Sequence, residues 1–112
     1  MNRGDVWLAN LNPTVGAEMQ KTRPVVIVSD DQIGLLPLKV VVPLTDWKDW
    51  HGKVSWMVKV MPLPATGLSK ISAADAFQVR SVAHERFSRQ LGKLDAAVMR
   101  EITDALAAVL SI

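Results

Sequence analysis

Up to residue 94 the apolar positions of the chain come in short clusters broken by polar residues or proline, and only beyond it do they take up a helical period. Val6, Trp7, Leu8, Ala9 and Leu11 predict a first strand over Asp5 to Leu11, ended by Asn12-Pro13. A polar loop follows, from Thr14 to Arg23. Pro24 to Ser29 is nearly all apolar, rich in β-branched residues and too short for a helix, which predicts a central strand covered on both faces. Asp30-Asp31 is expected to cap a helical turn through Leu36. A third strand is expected over Leu38 to Leu44, with Pro43 marking its end or an edge.

The segment Thr45 to Lys53 is polar, charged and aromatic at once, and predicts a mobile loop. Val54 to Met61 reads as a fourth strand closed by Pro62 and Pro64, Gly67 to Ser72 as a fifth and Ala76 to Val82 as a sixth. Alternation in the sixth places Gln78, Arg80 and Val82 on one face, opposite Phe77, Val79 and Ser81. From Asp95 the pattern changes: Val98, Ile102, Ala105, Leu106 and Val109 form one stripe of an amphipathic helix. Asp95 is its expected N-cap, and Leu94 with Met99 its hydrophobic staple. Several short strands followed by one closing helix predict a mostly β protein, a small antiparallel barrel with a C-terminal α-helix, with residues 1–112 as one domain.

Composition narrows the chemistry. There is no cysteine, hence no disulfide framework and no thiolate. No stretch approaches the ~18 uninterrupted apolar residues of a membrane span, and the N-terminus lacks the apolar core of a secretory signal, so no membrane association and a cytoplasmic address are expected. His51 and His84 lie far apart with no second ligand at a metal-binding spacing; both are expected at the surface, and no metal site is expected. Nothing resembles a P-loop, a dinucleotide fingerprint or a nucleophile elbow, and no cofactor is expected. Residues 1–94 carry a net charge of +4 and residues 95–112 one of −2, so the body of the domain is its basic part.

What remains are polar residues at strand ends: Arg23, Thr45, Ser72, Gln78 and Arg80. Arg23 precedes Pro24, which pushes its backbone toward extended geometry and sets its guanidinium at the mouth of a strand, a good place to hold a phosphate. The alternative for Arg23 is a surface ion pair with Glu18. Gln78 and Arg80 face either a ligand or water. Trp47 and Trp50 either stack on unpaired bases or pack against the barrel or a dimer interface. Trp7 and Trp56, inside strands, are expected in the core or an interface.

Arg3-Gly4-Asp5-Val6-Trp7, Leu11-Asn12-Pro13, Lys21-Thr22-Arg23-Pro24-Val25-Val26, Val42-Pro43-Leu44-Thr45 and Gln78-Val79-Arg80-Ser81-Val82 resemble, in order and over nearly the whole chain, the successive motifs of the MazF/PemK toxin family. The resemblance implies a sequence-specific, metal-independent endoribonuclease (mRNA interferase) of a toxin–antitoxin pair, on an SH3-like (CcdB/PemK-type) barrel that works as a homodimer. By position, Arg23 matches the family's catalytic arginine and Thr45 its catalytic threonine, while Glu18 and Gln78 match positions that contact RNA. Lys21, Trp47, Ser72 and Arg80 complete the expected RNA-binding set. Expected partners are single-stranded RNA and a cognate antitoxin whose acidic, disordered C-terminal segment folds onto the basic face.

In the plasmid-borne Kid branch of that family an aspartate and an arginine just ahead of the Gln-x-Arg motif share in catalysis. Here that neighbourhood reads Asp75-Ala76-Phe77, so the arginine–threonine form of the site is the one expected. The competing reading is a CcdB-like toxin that poisons gyrase without nuclease activity. That family relies on a C-terminal Trp-Gly-Ile, whereas this chain ends Val109-Leu110-Ser111-Ile112.

Overall fold

The computed structural model describes residues 1–112 and contains β1 (Asp5–Asn10), β2 (Thr22–Ile27), β3 (Leu38–Asp46), β4 (Met57–Val60), β5 (Ser72–Asp75), β6 (Arg80–Ala83), β7 (Phe87–Lys93) and α1 (Ala96–Leu110). All strand pairs are antiparallel, in the order β4-β5-β3-β2-β1-β7, with β6 also on β3. The end strands β4 and β7 do not pair, so the expected barrel is a bent sheet left open.

The bend lies in β3. On one side β6 pairs with Leu38–Val41 and β5 with Leu44–Asp46, which leaves Val42 and Pro43 between two partners. Pro43 sits in that gap, where a missing N–H costs least, and the strand runs on past it to Asp46 rather than ending there.

Strand β2 is covered on both faces, as its unbroken apolar run predicts. Val26 joins Val6, Val42, Leu44 and Ile102 in the larger core, whereas Val25 and Ile27 join Leu11, Val41 and Val82 in a smaller one. Helix α1 closes the larger core. Asp95 caps it by accepting from Val98 N at 2.9 Å, and both staple residues, Leu94 and Met99, are buried in that core. The Arg3 guanidinium donates to Val28 O and to Thr103 Oγ1 (2.9 Å), tying the end of β2 to the helix.

Five further expectations are corrected. Asp30–Leu36 forms turns and no helical element. The segment after Thr45 is not a mobile loop: Thr45 and Asp46 belong to β3, and Asp49–Lys53 forms a 3₁₀ turn. His51 in that turn is buried rather than at the surface; its Nδ1 accepts from Lys48 N at 3.0 Å, and the rings of Trp47 and Trp50 pack against it. The fifth strand begins at Ser72 rather than ending there, and Ala76–Gln78 is a 3₁₀ turn, so simple alternation does not carry Gln78 into β6.

Strand β7 has no counterpart among the predicted elements. Its pairing with β1 slips twice, between Val6 and Trp7 and between Leu8 and Ala9, and each slip breaks the two-residue period that would reveal it. It is held from the other side by the segment after β4: Lys93 N donates to Ala65 O at 2.8 Å, and Gly92 lies so close to Ala65 and Thr66 that any Cβ there would strike their backbone. Gly92→Ala is therefore expected to destabilise the fold by ~1–3 kcal/mol, read as a lowered midpoint in urea. An unchanged midpoint would show that this contact relaxes freely.

Candidate functional site

Two cavities lie along β3, one lined by Leu44, Thr45 and Asp46 and the other by Pro43. The first, of about 350 Å³, is a groove lined by Arg23, Thr45, Asp46, Lys70, Ser72 and Arg89 among others. Arg23 and Thr45 reach it from neighbouring strands. Arg23 Nε donates to Gln20 O at 2.9 Å, which fixes the fork, and its Nη1 lies 3.5 Å from Thr45 Oγ1, the outer limit of a hydrogen bond. The guanidinium keeps most of its donors free. Glu18 is turned away, accepting from Val15 N at 2.6 Å, so Arg23 does not form the surface ion pair.

Ser72 is buried at the groove wall, its Oγ donating to Lys70 O at 3.1 Å. Lys70 and Arg89, absent from the expected set, add positive charge. Lys70 pairs with Asp46 at 3.0 Å, both side chains well exposed, an ion pair worth little on its own. Asp46 is the one carboxylate in the groove and Arg89 has no acidic partner. Arg89 lay beyond sequence reasoning because it sits on the strand whose alternation is broken, and Lys70 because the expected strand there is a loop.

The second cavity, of about 330 Å³, takes Glu18, Gln78 and Arg80. Gln78 spends both ends of its amide on the β1–β2 loop: Oε1 accepts from Met19 N at 2.6 Å and Nε2 donates to Ala17 O at 3.0 Å. Arg80 Nη1 donates to Leu11 O at 3.1 Å. The same loop that clamps to Gln78 thus presents the Gln20 carbonyl to Arg23. Lys21 is exposed on this loop with φ of 69° but lines neither cavity. Trp47 lines neither one; it packs on His51 with Lys59 Nζ 5.2 Å from its ring centroid.

Asp75, buried, caps the turn that carries Phe77 and Gln78, its Oδ1 accepting from Phe77 N at 3.0 Å. Burial pushes its carboxyl above the ordinary carboxylate range, against the lowering effect of the hydrogen bonds it accepts, from the Phe77 amide first. The folded chain therefore holds this proton more tightly than the unfolded chain. Stability is lost as pH rises from below the ordinary carboxylate value through the raised one. Asp75→Asn keeps the cap without the charge, so it is expected to gain on the wild type as pH climbs through that window. Melting temperatures of both proteins from about pH 3 to 7 test this; a pH-independent difference overturns it.

A family model described as PemK-like, MazF-like toxin of type II toxin-antitoxin system matches residues 2–110. The endoribonuclease MazF9 of Mycobacterium tuberculosis is 33% identical over 112 residues, covering 95% of this chain and 92% of the relative. The endoribonuclease PemK of Escherichia coli is 30% identical over 113 residues, covering 99% and 83%. Among solved structures, MazF from Deinococcus radiodurans superposes with a TM-score of 0.80 at 23% identity, covering 100% of this chain and 97% of its own. A mycobacterial endoribonuclease solved in complex with its cognate antitoxin gives 0.77 at 22%, covering 100% and 96%. These two likenesses speak for the fold.

Proposed function

The chain belongs to the PemK-like, MazF-like toxins of type II toxin–antitoxin systems, and from that premise we propose that it cuts single-stranded RNA with Arg23 and Thr45. The observation that carries this is the approach of the two side chains across β2 and β3 into one basic groove. In this reading the ribose 2′-OH attacks the adjacent phosphorus, a P–O bond forms, and the bond to the 5′-oxygen breaks. The products are a 2′,3′-cyclic phosphate and a 5′-OH. Arg23 donates to the non-bridging oxygens as charge builds on the pentacoordinate phosphorus, and the Thr45 hydroxyl adds a further donor. Lys70 and Arg89 hold the flanking backbone.

The active form in this reading is a homodimer working in the cytoplasm, where messenger RNA is found. Its inhibitor is a cognate antitoxin whose acidic, disordered C-terminal segment covers the groove. A structural neighbour solved with its cognate antitoxin supports that partner, and the relatives named endoribonucleases disfavour gyrase poisoning without cleavage. No helix is long and apolar enough to cross a membrane.

The test is incubation of the purified protein alone with single-stranded RNA in EDTA, followed by end-group analysis. Cyclic phosphate and 5′-OH ends are expected. Intact RNA, or 5′-phosphate ends, would overturn the reading.

A further inference from the structure

Just ahead of Arg23 the chain makes a turn that its own residue type resists. Lys21 has φ of 69°, a left-handed backbone that a lysine adopts only at a cost. The other such residue that is not a glycine, Ser111, ends α1, where left-handed backbone is the ordinary way for a helix to stop. No helix ends at Lys21, so its conformation has another cause.

The peptide unit between Gln20 and Lys21 supplies it. A trans peptide is a rigid plane whose C=O and N–H point in opposite directions. Here the Gln20 C=O accepts from Arg23 Nε at 2.9 Å, while the Lys21 N–H donates to Asn12 Oδ1 at 3.0 Å. One plane is held at both ends, by the arginine assigned to the phosphate and by Asn12. Turning that plane over would bring Lys21 back to negative φ, relieve its backbone and carry the Gln20 carbonyl away from Arg23.

Asn12 is itself a fixed point. Its N–H donates to Asn10 Oδ1 at 3.0 Å, and its C=O accepts from Arg86 Nη1, which also donates to Asn10 O at 3.0 Å. Arg86 stands in the 3₁₀ turn His84–Arg86 between β6 and β7. Leu11 N, donating to Lys21 O at 3.0 Å, carries the β1–β2 ladder up to the strained residue. The main chain of Asn12 is thus tied down on both sides of its side chain, which leaves that side chain a firm anchor for the peptide plane.

We infer that Asn12 is a positioning residue for RNA cleavage: its side-chain oxygen keeps the Gln20–Lys21 peptide turned so that the Gln20 carbonyl aims the Arg23 guanidinium into the groove. The inference rests on the ribonuclease reading and adds how the cleaving arginine is kept oriented before RNA arrives. Orientation of this kind acts on the rate of the bound substrate more than on its affinity.

Initial rates on one oligoribonucleotide, with kcat and KM resolved, test it. Asn12→Ala is expected to lower kcat about 5- to 50-fold with KM within a few-fold of the wild type. The side chain is exposed, so the melting temperature is expected to stay close to that of the wild type. Asn12→Asp, whose carboxylate accepts the same N–H, is expected to restore kcat to within a few-fold. Lys21→Gly removes the backbone cost, so adding Asn12→Ala to it is expected to change kcat by no more than a few-fold. In Arg23→Lys, which has no Nε for the Gln20 carbonyl to hold, Asn12→Ala is expected to cost nothing further.

An Asn12→Ala protein with the kcat of the wild type would overturn the inference and leave the ribonuclease reading standing. So would an equally large loss on top of Arg23→Lys, which would mean that Asn12 does not act through Arg23. A rise in KM alone would overturn it too, by making Asn12 a direct contact of the RNA. A wild type that cuts no RNA would overturn the ribonuclease reading itself.

Discussion

Arg23→Ala is expected to slow RNA cleavage about 10²–10³-fold while leaving the fold intact, because it removes preorganised donors aimed at the charge that develops on phosphorus. The fold should hold. Arg23 is only half-buried, and its side-chain bonds run to one carbonyl and one long contact with Thr45, so no buried network collapses with it. Arg23→Lys separates charge from geometry: an ammonium keeps the charge but loses the planar fork that matches phosphate oxygens. It is expected to recover part of the rate and well short of all of it. Initial rates on one oligoribonucleotide, with melting temperatures of each variant, decide the matter. Arg23→Ala with more than a tenth of the wild-type rate would remove Arg23 from the chemistry.

Replacing the ribose on the 5′ side of the cut with deoxyribose is expected to abolish cleavage of that bond altogether. The groove offers hydroxyls from Thr22, Thr45, Ser69 and Ser72 but no histidine to activate them, so the substrate's own 2′-OH is the nucleophile best placed to attack. Removing it leaves nothing for the arginine to assist. A denaturing gel of matched ribo- and deoxy-substituted strands reads the result. Cutting of the substituted bond at any comparable rate would mean that water or a protein hydroxyl attacks.

Much of the fold was written locally. The β-branched run from Val25 to Val28 announces a central strand, and the stripe from Val98 to Val109 with Asp95 ahead of it announces the helix, because burial on both faces and burial on one stripe leave different periods. Arg23 and Thr45 were legible from the motifs around them. Strand β5 was not: Ser72-Ala73-Ala74-Asp75 lacks the bulk that marks a strand, although all four residues are buried between β3 and β4. The burial of His51 was equally hidden, since it depends on two tryptophans folding back over a turn that is polar in sequence. Gln78 and Arg80 do share a cavity, but through a 3₁₀ turn and not through strand alternation.

The backbone oxygen that holds Arg23 has an electrostatic consequence. A carboxylate in the place of the Gln20 carbonyl would orient the guanidinium equally well and cancel its charge; a neutral carbonyl orients without cancelling. The protein's single ion pair is Lys70 with Asp46, which leaves Arg23 and Arg89 balanced only by small ions from solution. An arriving polyanion displaces those ions, and their release into bulk becomes part of the drive to bind. If the groove holds RNA as proposed, its grip is expected to be set partly by the ionic strength around it, loosening as salt rises even though no contact in the protein has changed.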